Sequence, residues 1–195
     1  FSQMTSSNNE LGTFFTRCLS WGLGFMIGIY IAGGISGAHL NPAISITLSI
    51  YRGFPWRHCC IYVISQIAGA LCAAALAFAT FQDAIRHADP GLTRETGLTL
   101  YTSPLPYVSN GTAFLSEFVG CAILMTSILA LGDDMNTPPG AGMNPFILGL
   151  VITILNITMT NTGPCLNPAR DLGGRIVAHG VGYEDAFDGT WWIWG

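Results

Sequence analysis

The sequence contains no lysine, and its seven basic residues are all arginine. Charged residues make up only 9% of the 195 positions, against roughly 25% in an ordinary soluble domain. So few charges cannot wet a globular surface, and a mean hydropathy of +0.48 points to lipid as the solvent. With no basic face or basic run, the chain lacks the footprint of a nucleic-acid binder. It equally lacks a polybasic segment for anionic lipid. No Cys-x-x-Cys pair occurs. Cys18, Cys59, Cys60, Cys72, Cys121 and Cys165 therefore read as small packing residues, and neither a disulfide framework nor a zinc site is indicated. The polar stretch Phe1 to Glu10 shows no signal-peptide pattern.

What is present is long apolar runs. A spanning helix needs about 20 mostly apolar residues. Four segments reach or approach this: about Cys18 to Ile35, Trp56 to Phe81, Ala113 to Leu131 and Pro145 to Met159. In hydrocarbon every backbone group must be satisfied within the chain, so these are helices. Gly24, Gly28 and Ala32, and Gly69, Ala73 and Ala77, form rows of small residues at the spacing that lets membrane helices approach. Gln82 to Asn110 reads as a long polar connection over a functional opening. Asn110-Gly111-Thr112 at its end is a glycosylation acceptor pattern that hints at an outward loop. Asn156-Ile157-Thr158 matches the same pattern inside an apolar helix and is idle. Arginine placement does not settle the orientation, because Arg52 and Arg57 oppose Arg86 and Arg94.

Two further apolar stretches are too short to span. Asn41 to Tyr51 and Asn167 to Ala178 each cover about half of a ~30 Å hydrocarbon core. They begin alike: Gly37-Ala38-His39-Leu40-Asn41-Pro42-Ala43 and Gly163-Pro164-Cys165-Leu166-Asn167-Pro168-Ala169. Five of the seven positions agree, which marks an internal duplication. Asn is a favoured N-cap and Pro is tolerated at the first helical position. Paired, interrupted apolar segments point to a transport site. If the halves have opposite topology, the two half-helices meet N-terminus to N-terminus. Each end carries about half a positive charge. The amides of Asn41 and Asn167 then hold a water by its oxygen, which breaks a proton wire and repels cations. Carbonyls of Gly37, Ala38, His39, Gly163, Pro164 and Cys165 line the pore.

These motifs closely resemble the two signatures of the major intrinsic protein family, the aquaporins. Ser36 to Ala43 matches the first, and Asn167-Pro168-Ala169-Arg170-Asp171 the second. The resemblance extends from Trp21 to about Trp194. It implies an all-α membrane protein: a right-handed helical bundle with inverted repeats and two re-entrant half-helices, here as one domain over residues 1–195. Asp171 and Arg175 resemble the glycerol-conducting branch, and Trp21 falls at the aromatic position of that branch's selectivity filter. The water-selective branch carries a filter His on its fifth helix, and no His lies between Ala141 and Pro164. Asn156 aligns there, or Leu155 with a shift of one. Arg170 would give donors to the hydroxyl edge of glycerol, and Trp21 an apolar wall. A cation in the first turn of a helix opposes the dipole, which favours a functional Arg170.

By the same resemblance Glu117 accepts hydrogen bonds from the loop before Asn167. Asp171 either steadies its helix or shapes the filter. His39 gates or shapes the inner vestibule, and Gln66 bridges helices. Pro164 stands where glycerol facilitators often carry an aromatic, which implies a wider constriction. Gly174 stands where the family commonly has Pro, which implies a looser half-helix. The family has six spanning helices; by the resemblance Phe1 is the end of the first or the loop just after it, and the last is cut near Trp191-Trp192-Ile193-Trp194, which leaves conduction by this exact chain open.

The implied function is a passive channel, not an enzyme. It would pass glycerol, small neutral solutes and water across a lipid bilayer and exclude ions and protons. The implied assembly is a homotetramer in the plasma membrane, without cofactor, metal or nucleic acid. Three alternatives stand beside it: a water-selective channel, a non-conducting assembly or adhesion protein with this fold, and an intramembrane serine protease. The last rests on Gly34-Ile35-Ser36-Gly37 and needs a base at the serine.

Overall fold

The computed structural model describes residues 12–140 and 142–189. In chain order the elements are α1 (Phe14–Ser36), α2 (Pro42–Tyr51), α3 (Trp56–Ala88), a one-turn α4 (Arg94–Gly97), α5 (Asn110–Leu131), α6 (Asn144–Thr158), α7 (Pro168–Val181) and a 3₁₀ turn, Glu184–Phe187. No strand occurs among the described residues. The expectations for Phe1 and for Trp191 to Trp194 lie outside them.

The bundle is inside out. Ile31 is 75% and Ile35 93% exposed on α1, and Ile64 and Leu76 are each 68% exposed on α3. An apolar exterior of this extent needs lipid around it. By length and composition α1, α3 and α5 can each cross a membrane. Helix α6 has 15 residues, about 22 Å, so the fourth expected span is shorter than the other three.

Helix α3 runs seven residues past the expected Phe81. Its last turn carries Arg86 and His87, which suit the negative end of a helix. The polar connection that follows is ordered by its own hydrogen bonds. Asp89 accepts from Thr93 N (2.8 Å), Thr93 Oγ1 (3.0 Å) and Thr96 Oγ1 (2.7 Å) and so closes the turn into α4. Burial opposes ionisation of Asp89, but the Thr96 and Thr93 hydrogen bonds outweigh it and hold the carboxyl below the usual carboxylate range. Leu92, Leu100 and Tyr101 pack with Phe78, Ile85, Ala178, Tyr183 and Ala186 into one buried cluster. The Asn110-Gly111-Thr112 triplet is the first turn of α5, capped by Ser109.

Of the glycines in the expected small-residue rows, only Gly28 makes a close contact among the described residues, where a Cβ would meet Leu40 Cδ1 at 3.0 Å. A Cβ on Gly24 or Gly69 would meet nothing within 4 Å. The close approach is between α1 and α6, where a Cβ on Gly149 would come within 2.9 Å of the Gly22 carbonyl oxygen. Gly173 packs in the same way on α3, where a Cβ would meet Ala70 Cβ at 2.7 Å. Gly174 does not loosen α7, which continues unbroken to Val181. Its bare Cα admits the Leu100 carbonyl oxygen, which a Cβ would strike. Among the cysteines, Cys18, Cys59 and Cys165 are buried and Cys121 is half-buried. Cys60 and Cys72 face outward, so the packing role does not extend to them.

Candidate functional site: a head-to-head pair of half-helices

Helices α2 and α7 start from the same device. Asn41 Oδ1 accepts from Ala43 N (2.9 Å); Asn167 Oδ1 accepts from Ala169 N (3.1 Å) and Arg170 N (3.2 Å). Pro42 and Pro168 occupy the first turn, where a missing N–H costs nothing. With Oδ1 engaged in capping, each Nδ2 points away from its own helix. Asn41 Nδ2 donates to Leu166 O (2.6 Å), and Asn167 Nδ2 donates to Leu40 O (2.9 Å). The bonds are reciprocal, so the two N-termini meet head to head. Each amide nitrogen bears two hydrogens and spends one here. One remains on each to donate to a solute.

The acceptors Leu40 and Leu166 hold left-handed backbone, φ 56° and 52°. A branched residue adopts that conformation at a cost of about 1–3 kcal/mol. It turns the carbonyl toward the opposite Asn. Both leucines belong to the five matching positions of the repeat, so the signal was present in the sequence although their carbonyls were not among the expected pore-liners.

The two loops are braced differently. Glu117, 3% exposed on α5, accepts from Cys165 N (3.0 Å) and Leu166 N (2.9 Å). On the other side the brace is neutral. Ser45 Oγ lies 3.0 Å from His39 Nδ1, accepts from Gln66 Nε2 (3.0 Å) and donates to Asn41 O (3.3 Å). His39 also meets Phe54 edge-on with centroids 4.6 Å apart, and Tyr62 at 5.0 Å. Gln66 thus bridges α3 to α2. Ser36 Oγ donates to Ala32 O (3.2 Å) and accepts from Ala38 N (3.3 Å). With His39 Nδ1 turned to Ser45, no hydrogen bond among the described residues joins Ser36 to the base that the protease reading needs.

Two cavities meet at this junction. The outer one, about 290 Å³, is lined by Trp21, Asn156, Pro164 and Arg170 together with Gly163, Cys165 and Asn41. The four filter residues expected from sequence therefore share one cavity. Asn156 lines it, while Leu155 is buried against Leu124 and Leu166. The second cavity is an open groove of about 730 Å³, lined by Ala38, His39, Gln66 and the small residues of α3. Trp21, Asn167 and Arg170 belong to both. Gly37 lies apart from the other expected carbonyls, in a third cavity with Tyr30, Arg52 and Asn144.

Arg170 stacks on Trp21 with its guanidinium carbon 4.6 Å from the ring centroid. Its Nη1 is buried and has no acceptor. Asp171 is only 3.9 Å away, but its oxygens are committed elsewhere. Oδ1 accepts from Thr102 N and Thr102 Oγ1 (2.8 Å each), and Oδ2 from Arg175 Nε (2.5 Å). Arg175 also donates to Ala186 O and Thr102 O. Asp171 therefore lines neither cavity and acts as a fastener for the loop over the outer one. Sequence reasoning placed the connection from Gln82 to Asn110 over a functional opening but singled out none of the loop residues that line the cavity. Arg94 Nη2 donates to Ser103 Oγ (2.5 Å) and Pro104 O (2.7 Å), and Leu105 N donates to Asn161 O (3.0 Å). Among the described residues no group of His, Cys, Asp and Glu could hold a metal.

Apolar helices around two opposed, Asn-capped half-helices define a membrane protein of the aquaporin-fold class. The family model described as Major intrinsic protein matches residues 2–194, and the chain belongs to that family. It is 48% identical over 193 residues to a probable aquaglyceroporin-4 of Gibberella zeae, covering 97% of this chain and 35% of the relative. It is 41% identical to an aquaglycerol porin of Saccharomyces cerevisiae (99% and 31%) and 36% identical to human Aquaporin-10 (98% and 67%). The chain thus spans about a third of the length of the fungal relatives. The X-ray structure of the aquaglyceroporin from Plasmodium falciparum superposes with a TM-score of 0.86 at 29% identity, covering 99% of this chain and 80% of that one.

Proposed function

We propose that the chain is the core of a passive channel for glycerol, other small uncharged solutes and water, and that it excludes ions and protons. The observation that carries this reading is Arg170: a guanidinium stacked on the Trp21 indole and lining both cavities where they meet. The fixed donors of a guanidinium suit the hydroxyl edge of a passing solute. Trp21 receives the hydrocarbon edge of the same solute. The remaining amide hydrogens of Asn41 and Asn167 orient a water by its oxygen. The positive ends of α2 and α7 and the charge of Arg170 oppose a cation or hydronium at the same point.

The relatives named aquaglyceroporin support the glycerol branch over a water-selective channel. Trp21, Asn156, Pro164 and Arg170 form the filter in this reading. Asn41, Pro42, Ala43, Asn167, Pro168 and Ala169 form the junction, and Glu117, Asp171 and Gln66 hold the loops. Ala38, His39, Gly163, Pro164 and Cys165 contribute pore-lining backbone. The domain is single, the protein acts in the plasma membrane as a homotetramer, and it performs no catalysis. Full-length protein in liposomes, followed by light scattering in an inward glycerol gradient, tests this. The expected result is glycerol swelling well above the empty-liposome rate, lost when Trp21 and Arg170 are replaced. Fast water flux with glycerol at the empty-liposome rate would contradict it.

A further inference from the structure

Residues 98–105 form the rim of the outer cavity, to which Tyr101, Thr102, Ser103 and Leu105 contribute lining. Beyond the turn that ends α4 this rim has neither helix nor strand, so its shape depends on a few fixed points. At one end Thr102 is bonded through N and Oγ1 to the buried Asp171. At the other, Leu105 N donates to Asn161 O across the mouth. Between them Ser103 and Pro104 are held by one side chain. Arg94 Nη2 donates to Ser103 Oγ at 2.5 Å and to Pro104 O at 2.7 Å. Arg94 itself does not line the cavity, so it holds the rim from behind. Its base is fixed: on the same turn Thr96 Oγ1 lies 2.8 Å from Tyr183 OH, and a Cβ on Gly97 would meet Tyr101 Oη at 2.8 Å. The ion pairs among the described residues join Arg170 and Arg175 to Asp171, so none competes for Arg94.

From this arrangement we infer that Arg94 is a positioning residue for permeation: from outside the pore it ties Ser103 and Pro104 back from the outer mouth and so sets how large a solute enters. The inference rests on the proposed channel function and concerns entry, not the chemistry read deeper in the pore. Without Arg94 the two residues hang between Thr102 and Leu105 and swing over a cavity of about 290 Å³. An obstruction of that kind hinders a large solute more than a small one. Both bonds leave a single nitrogen that carries two hydrogens. A lysine ammonium, with three hydrogens on a long stem, can therefore serve the same acceptors.

The test is the flux of water, glycerol and the four-carbon polyol erythritol through full-length protein in liposomes. Arg94→Met keeps the stem and removes the donors, Arg94→Lys restores a donor, and Ser103→Ala removes one of the two acceptors. Loss of both bonds is expected to lower the glycerol-to-water ratio about threefold, with erythritol falling further and water changing less than about twofold. The Lys variant should return the ratio to within about twofold of the unaltered protein, and Ser103→Ala should shift it the same way by less. An unchanged or raised glycerol-to-water ratio in Arg94→Met would overturn the inference. So would an equal loss of all three fluxes, which marks a merely structural role. If Arg94→Met does not insert, Ser103→Ala decides, and an unchanged ratio there overturns the inference. Failure of the channel function reads differently, because the unaltered protein would then pass no glycerol.

Discussion

The two half-helices open with the same words and are held by different chemistry. At both, Asn caps its own helix and donates across to the carbonyl of the residue before its counterpart. Behind the second, however, stand three buried charges: Glu117 under the loop, and Asp171 with Arg175 under the helix. Behind the first stand only His39, Ser45, Gln66 and aromatic rings. A duplication therefore preserved the groups that face the junction and let the supports diverge. The side that carries Arg170 received the charged support.

This difference predicts unequal sensitivity. The largest effect belongs to Asp171→Ala, which strands the Arg175 guanidinium in the interior. Breaking a buried pair from one side costs about 3–5 kcal/mol, and a loss of folded protein in detergent melts is expected. Glu117→Ala follows. It leaves two buried N–H groups without their acceptor, at roughly 1–3 kcal/mol each; Glu117→Gln, which keeps one carbonyl oxygen, should recover part of the melting temperature. At the junction itself the halves should agree. Asn41→Ala and Asn167→Ala each lose a cap worth about 1 kcal/mol and one cross-bond, so their melting shifts should match. A clear mismatch would break the symmetry argued for the Asn pair. On the neutral side, Ser45→Ala should cost only about 1 kcal/mol and leave glycerol flux close to normal.

The smallest effect concerns Asp89, which fastens α4 far from the junction. Its carboxyl is depressed in the folded protein, so its stabilisation is present above the ordinary carboxylate pKa. That stabilisation is lost as pH falls through the lower, folded value. Hydrogen exchange of Thr93 and Thr96 should therefore rise only in acid, and Asp89→Asn should abolish that acid step without altering solute flux.

The junction was legible in the sequence because its information is local and doubled. Asn, Pro and a half-length apolar run declare a capped helix start, and the second copy turns a common capping pattern into a motif. Glu117 stood out as the one acid inside an apolar span, and Arg170 as a cation in the first turn of a helix. The outer roof was illegible because its order is non-local: Thr102 bonds a residue 69 positions away and Tyr101 one 84 positions away. Residues 82–110 have no periodicity that records such partners. The choice between Leu155 and Asn156 was open for a similar reason, since a change of one residue in a loop rotates a helix face by about 100°. The small-residue rows misled because spacing shows which residues share a face but not what that face meets. Gly22 and Gly149 make the contact, and only the fold brings them together.

The central claim is that one junction passes hydroxyl-bearing solutes and stops protons. Its most direct test measures both in the same vesicles, with full-length protein in liposomes carrying a pH-sensitive dye and subjected to a glycerol gradient. The account predicts glycerol flux far above lipid background, with proton flux at background. Replacing Trp21 and Arg170 should lower the glycerol-to-water ratio, while Ser45→Ala should leave it unchanged. Glycerol flux at lipid background from correctly inserted protein, or proton flux that rises in step with glycerol flux, would contradict it.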